Sequence, residues 1–230
     1  MNMVDKGVSV RAGSVDMTHG GGGRAMAELI ADLFQRHLGN SILAQGNDGA
    51  LLEPQKGRLV MSTDGHVISP LFFPGGDIGS LSVHGTLNDV AMTGARPLYL
   101  TAGFILEEGF PLADLERIVM SMARAAKEAG VPIVTGDTKV VEKGKGDGVF
   151  ITTTGLGVVP DGVHVSAEKA KPGQAVLLSG SIGDHGVAIL SKRESLEFET
   201  EIRSDSAALH GMVTAMMEAV PGIAVLRDPT

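Results

Sequence analysis

Apolar positions near the start of the chain recur with helical spacing. Met26, Leu29, Ile30, Leu33 and Phe34 fall at i, i+3, i+4, i+7 and i+8, which is one face of a 3.6-residue helix. Gly39-Asn40 ends that pattern. The period then shortens: RLVMSTDGHVI, from residue 58, reads as a strand. PLFFPGGDIG reads as a loop, followed by a helix to about Gly94 that carries Leu81, Thr86, Asn88 and Asp89. RPLYLTAGFILE is a strand, and Leu115, Ile118, Val119, Met122 and Ala126 form the stripe of a helix capped by Gly130. VPIVTGDTKVV and GVFITTTGLGVV are two further strands separated by the charged glycine turn EKGKGDG. Strands interleaved with helices predict an α/β fold.

A boundary falls near Ala170-Lys171-Pro172-Gly173. Beyond it, QAVLLSGSIG predicts a strand, two helices are expected near 183–193 and 205–220, and a strand-like run follows from Ile223. The organisation is then a glycine-rich arm and helix over 1–44, a first domain over 45–170, and the start of a second over 171–230. One strand and two helices need more strands to cover them, so the second domain is expected to be incomplete. Residues 1–18 read as a flexible tail, and 1–23 as mobile until a ligand orders them.

Composition narrows the function. Aromatics are only 3% of residues, so Val, Ile, Leu, Ala and Met must fill the core. A net charge of −8 argues against nucleic acid, whose phosphates need Lys and Arg, and against an anionic membrane surface. The sequence has neither the apolar run of a membrane span nor the apolar block of a signal peptide at its start, which makes the cytoplasm the expected setting. With no cysteine, these 230 residues offer no disulfide, thiolate metal site or cysteine nucleophile.

Candidate chemistry gathers around glycines and carboxylates. Gly20, Gly21, Gly22 and Gly23 precede a helix, where exposed N–H groups and the helix dipole can cradle phosphate; a plain flexible linker is the competing reading. Asp64 lies in STDG, Asp89 on a helix of small and apolar residues, Asp137 after VPIVTG and Asp228 after GIAVLR. Three of the four are expected at the C-terminal ends of strands, where ligands of α/β proteins bind. Magnesium takes oxygen ligands, commonly one or two carboxylates plus substrate phosphates. Taken singly, each Asp is more readily a turn or cap residue, and it is the four together that shift the weight to metal and nucleotide. Lys139 stands two residues beyond Asp137, so a strand projects both from one face; a cross-strand ion pair is the alternative. Among the histidines, His19 stands out only because it adjoins the glycines.

HGGGGRAM, STDGHVISPLFFPGGDIG, HGTLNDVAMTGARP, GFILEEGF, VTGDTKVV and LRDPT together resemble the HypE family of the PurM-like ATP-binding superfamily. STDG with NDVAMTGA marks the superfamily; GFILEEGF with TGDTKVV points to HypE within it. The resemblance spans nearly everything from His19 onward. It implies a PurM-like α/β first domain that pairs with a second copy into a dimeric barrel. It also implies ATP and Mg2+ as cofactors, with Asp64, Asp89 and Asp228 at metal-holding positions and Asp137 and Lys139 near the phosphates. His19 and Gly20 to Gly23 would form a mobile loop over them; Gly21 stands where serine is usual, which removes a hydroxyl contact there.

The activity implied is ATP-dependent dehydration of a carbamoyl group, received from HypF on a C-terminal cysteine, to a thiocyanate. The cyano group then passes through the HypC–HypD complex to the iron of a nickel–iron hydrogenase. That cysteine is absent from the 230 residues, so a truncated, inactive form is expected. Another ATP enzyme of the superfamily (a small-molecule kinase or selenophosphate synthetase) and a non-catalytic docking module are the competing readings.

Overall fold

The computed structural model describes residues 13–194 and 201–229. A four-stranded sheet in the order β1-β6-β4-β5 organises it: β1 (Arg58–His66), β4 (Arg96–Glu107), β5 (Ile133–Val141) and β6 (Val149–Val159). β6 is antiparallel to both β1 and β4, whereas β4 and β5 run parallel. The parallel pair needs a crossover, and α4 (Leu112–Ala129) supplies it. β2 (Phe72–Phe73) and β3 (Gly76–Asp77) make a small hairpin leading into α3 (Ile78–Met92). The sequence read this stretch as loop; Asp77 explains the helix that follows. Its carboxylate accepts from Gly79 N and Ser80 N while Ser80 Oγ accepts from Asp77 N, a reciprocal cap that satisfies otherwise orphaned donors.

One face of the sheet is covered. Leu100, Ala102, Phe104 and Leu106 alternate along β4 and join Ile151 and Ile133 beneath α3, α4 and the N-terminal helix. That helix runs as α1 (Arg24–Leu29), a π-helical turn (Ile30–Gln35) and α2 (Arg36–Leu38), and it buries Leu29, Leu33 and Phe34. α3 lies unusually close to β6 because Gly155 and Gly157 face it. A Cβ on Gly157 would meet Val90 Cγ1 at 2.5 Å. This close approach sets where Asp89 stands.

Among the described residues the other face is bare. Leu59 and Met61 on β1 are 61% and 71% exposed, and Ile105 on β4 is also exposed.

Two expectations are corrected. Residues 13–20 are not a loose tail: Val15 is buried, and Val15 N donates to Phe110 O while Gly109 N donates to Val15 O. Residues 1–12 of the expected arm lie outside the described residues. Residues 174–183 form no strand, and neither do 223–229. Val176 and Leu177 are 95% and 85% exposed. A strand is defined by its neighbour, and among the described residues nothing pairs with them.

The remaining helices, α5 (Asp184–Glu194) and α6 (His210–Ala219), pack on the first domain. Arg193 donates twice to Ser69 O, at 3.1 and 2.8 Å. The segment before α6 lies along α3: His84 Nδ1 is 3.0 Å from Ser206 Oγ, and His185 Nδ1 is 2.9 Å from Ser204 Oγ.

Burial pushes both imidazoles below their ordinary value, opposed by Glu128 and Asp77 at His84 and by Asp205 at His185. A base whose folded pKa is depressed costs nothing above its unfolded value of about 6.5. Below that, the unfolded chain takes up protons first, and stability falls. The melting temperature is therefore expected to drop between pH 7 and pH 5.5. The drop should be smaller in a His84→Gln, His185→Gln variant; equal slopes in parent and variant would exclude these two histidines as the cause.

Candidate functional site

Asp64 projects from β1 on the covered face. In β1, residues 62, 64 and 66 share that face, since successive side chains alternate. Ser62 Oγ donates to Asp89 Oδ2 at 2.8 Å, tying β1 to α3. Gly85 makes room between them: a Cβ there would lie 3.1 Å from both Asp64 Oδ2 and His66 Cε1. The result is a notch bordered by two carboxylates.

His66 closes the notch from below. Thr153 Oγ donates its only hydrogen to Ser82 O at 2.9 Å. It must then accept from Thr86 Oγ, 2.6 Å away, and from His66 Nε2, 3.2 Å away. This assigns the imidazole proton to Nε2. Burial lowers the His66 pKa, against the raising effect of Asp64 and Asp89, so a neutral ring with that tautomer is the consistent state. His66 Nε2 is 3.7 Å from Asp64 Oδ2, too far for a hydrogen bond.

Asp228 approaches from the far end of the chain. Burial pushes its carboxyl above the usual carboxylate range, and the charges of Asp89 and Asp64 add to this. It does not follow a strand, as the sequence suggested, yet it reaches the electrostatic neighbourhood of the other two. Among the described residues no group of three or more His, Cys, Asp or Glu side chains forms a ready-made metal cage. The donor set is nonetheless all hard oxygen, its negative charge partly offset at Asp228 by Arg227, which fits Mg2+ completed by phosphate oxygens.

Asp137 and Lys139 lie elsewhere. They do share a face, opposite Gly103 and Ile105 in the parallel ladder, but it is the bare face. Asp137 also does not end a strand: β5 continues to Val141. Asp64 is on the edge strand β1 and Asp137 on the opposite edge strand β5. Three inter-strand spacings separate them, roughly 14 Å, as well as the thickness of the sheet. One chain therefore does not bring all four carboxylates to a single ion.

His19 and the glycines lie beside β5. His19 is buried, and its Nδ1 accepts from Asp16 N at 3.1 Å in a capping box. Gly20 presses on β5, where a Cβ would meet Val140 N at 2.9 Å. Gly21, Gly22 and Gly23 are exposed, and Gly22 has a positive φ of 73°, so the loop proper begins after Gly20. The sequence reading missed Ser62 and Thr153. Ser62 was findable, since it precedes Asp64 by two residues on a strand; Thr153 was not, because its partners come from β1 and α3.

A sheet of this order with helices on one face and a carboxylate notch beneath α3 defines the class. Residues 46–159 match the family described as AIR synthase related protein, N-terminal domain, and the fold is PurM-like α/β. Within that class, the chain is 71% identical over 223 residues to the carbamoyl dehydratase HypE of Azotobacter vinelandii, covering 97% of this chain and 65% of the relative. A crystal structure of hydrogenase maturation protein HypE in complex with ATP superposes with a TM-score of 0.90 at 55% identity, covering 93% of this chain and 64% of that one. A HypE–HypF complex superposes at 0.74 with 55% identity, covering 88% and 65%. The chain belongs to the HypE family. It spans 65% of the length of the Azotobacter relative.

Proposed function

We propose that this chain is the nucleotide-binding part of a carbamoyl dehydratase acting in nickel–iron hydrogenase maturation. The observation that carries the reading is the notch that Gly85 leaves open between β1 and α3, with Asp64 on one side and Asp89, held by Ser62 Oγ at 2.8 Å, on the other. A cation offsets the repulsion between such neighbouring carboxylates. In this reading, Asp64, Asp89 and Asp228 hold Mg2+ together with the phosphates of ATP. ATP with Mg2+ supplies the phosphoryl transfer that turns the amide oxygen of an S-carboxamide into a leaving group. Ser62 orients Asp89, and the neutral His66 packs beneath Asp64 without competing for the ion. The exposed N–H groups of Gly21 to Gly23, at the start of α1, close over the phosphates, with His19 and Gly20 anchoring the loop to β5.

Asp137 and Lys139 serve phosphate on the bare face, at a site completed by a second copy. The HypE–HypF complex supports HypF as a partner, and the family resemblance supports its role as carbamoyl donor and the HypC–HypD complex as cyano acceptor. The chain contains no cysteine, so in this reading the sulfur that bears the carbamoyl group lies outside these residues. The protein works in the cytoplasm. Titration of ATP with and without Mg2+, followed by phosphate release in the presence of a carbamoylated C-terminal peptide, tests the whole reading. Tighter binding with Mg2+ and peptide-stimulated release are expected. Binding indifferent to Mg2+ would remove the carboxylate site.

The bare face supports a homodimer, because Leu59, Met61 and Ile105 would otherwise leave an apolar patch in water. Light scattering is expected to give twice the chain mass, and Leu59→Lys with Met61→Lys should return it to the monomer. A parent that is monomeric at micromolar concentration would exclude the pairing.

A further inference from the structure

α3 carries two glycines, Gly79 and Gly85. Inside a helix, glycine is a poorer residue than alanine, so each needs a reason. Gly79 has one in packing, since a Cβ there would collide with the backbone of α4 at Ile118 O. Gly155 and Gly157 likewise leave room for α3 against β6. Gly85 has no such reason. Within 4 Å its Cβ would meet only two atoms of other elements, Asp64 Oδ2 and His66 Cε1, each at 3.1 Å. Both are the far ends of side chains, and neither is backbone.

Those two side chains differ in freedom. His66 is buried, and its Nε2 is 3.2 Å from Thr153 Oγ. The Asp64 side chain is 44% exposed, so it can turn outward. The fold can therefore take an alanine at 85, but only by moving the Asp64 carboxylate. The space beside Gly85 is half-exposed and belongs to the notch. Residues 85 and 89 lie one above the other on the same face of α3. Asp89 thus borders this space one turn along, with Asp64 across it on β1.

A methyl group and a water molecule are of similar size. A point 3.1 Å from a carboxylate oxygen is close to hydrogen-bonding distance. The side chain that Gly85 lacks therefore leaves, next to Asp64, the room of one water. Which cation this suits follows from hydration. Mg2+ sheds its waters reluctantly and keeps several in protein sites, whereas Ca2+ accepts varied sets of oxygen ligands in flexible geometry.

We propose that Gly85 is a specificity-determining residue: by leaving room for a water ligand beside Asp64, it fits the notch to hydrated Mg2+ in preference to Ca2+. This rests on the reading of Asp64 and Asp89 as carboxylates that hold Mg2+ with ATP. Gly85 itself binds nothing and acts through the room it leaves.

The test compares Gly85→Ala with the parent by titration of ATP in Mg2+, in Ca2+ and without divalent ion, beside thermal melts of the ligand-free chains. The parent is expected to bind ATP more tightly with Mg2+ than with Ca2+. Gly85→Ala is expected to weaken Mg2+-dependent binding at least about tenfold, the scale of loss when residues that support metal ligands are changed. Binding with Ca2+ should fall less, so the preference for Mg2+ shrinks, and binding without divalent ion should not change. The ligand-free melting temperature should equal or exceed the parent's, because the helix gains a better former. Gly186→Ala on α5, where a Cβ meets nothing within 4 Å, is the control and should leave the ion dependence as it was. A Gly85→Ala chain that melts earlier than the parent, or fails to fold, makes the glycine a packing residue and overturns the proposal. An equal loss with Mg2+ and Ca2+ overturns it too, since Asp64 is then merely displaced. A parent that binds ATP alike with the two ions, yet more tightly than without them, overturns it while the carboxylate site stands. A parent indifferent to both ions removes the site itself, and the proposal with it.

Discussion

Gly79→Ala is expected to destabilise the chain by about 3 kcal/mol or to prevent folding, although alanine is the better helix former. Two effects compete. Replacing a helical glycine by alanine gains about 1 kcal/mol of backbone entropy. Against this, a Cβ on Gly79 would sit closer than 3.0 Å to Ile118 O, and 2.9 Å from the Asp77 carboxylate that caps α3. The first obstacle is backbone of α4, so no side chain can rotate away. α3 and α4 would have to separate, opening the contact among Ile78, Ile118 and Val119, all fully buried. Overpacking of this kind costs roughly 1–3 kcal/mol before loss of the cap is counted. Gly211→Ala is the control, since a Cβ there meets nothing within 4 Å; it should be neutral or stabilising. Urea unfolding of the two variants measures the difference, and equal midpoints would show that α3 and α4 yield more easily than their packing implies.

The same glycines show where a sequence can be read and where it cannot. β4 was legible because Leu100, Ala102, Phe104 and Leu106 alternate with period two. α4 was legible because its stripe and Gly130 agree on one helix. Gly136 misled. The sequence reads VPIVTGDTKVV as a strand and yet sets Asp137 after VPIVTG, at a strand end. In the fold, β5 runs straight through, and the glycine is there because a Cβ would collide with Ala102 O in the neighbouring strand. A glycine inside a strand marks close backbone approach as readily as a turn.

Strand order was the second blind spot. Period two put Asp137 and Lys139 on one face, but no local pattern says which face is bare or which strands lie between β1 and β5. Residue type alone took the four carboxylates together; the resemblance set Asp137 apart from Asp64, Asp89 and Asp228, and the sheet puts Asp137 on the opposite face and edge from Asp64. Residues 174–183 failed for a related reason: their apolar run has a strand's composition but no neighbour among the described residues.

Asp89→Asn is expected to cost Mg2+-dependent ATP binding at least about tenfold, since even residues that merely support metal ligands cost that much, while changing stability little. Asp89 accepts a hydrogen bond from Ser62 Oγ at 2.8 Å. An asparagine oxygen can keep that bond, losing only the extra strength of a charged acceptor, about 1 kcal/mol. Offsetting this, the substitution removes a charge that helps push Asp228 above its ordinary value, after burial itself. For an acid whose folded pKa is raised, the stabilising contribution is present at low pH and is lost as pH rises through the folded value. The variant therefore carries less repulsion around Asp228 than the parent. The melting temperature near pH 7 should shift by no more than a few degrees, while the parent's loss of stability as pH rises from about 4 towards neutral should shrink. If Asp89 instead only braces α3 against β1 through Ser62, then Ser62→Ala should match Asp89→Asn in the melt, and neither should alter ATP affinity. Titration of ATP with Mg2+, beside thermal melts of both variants across that pH range, separates the two roles. An Asp89→Asn chain that melts early and binds ATP like the parent would take Asp89 out of the site.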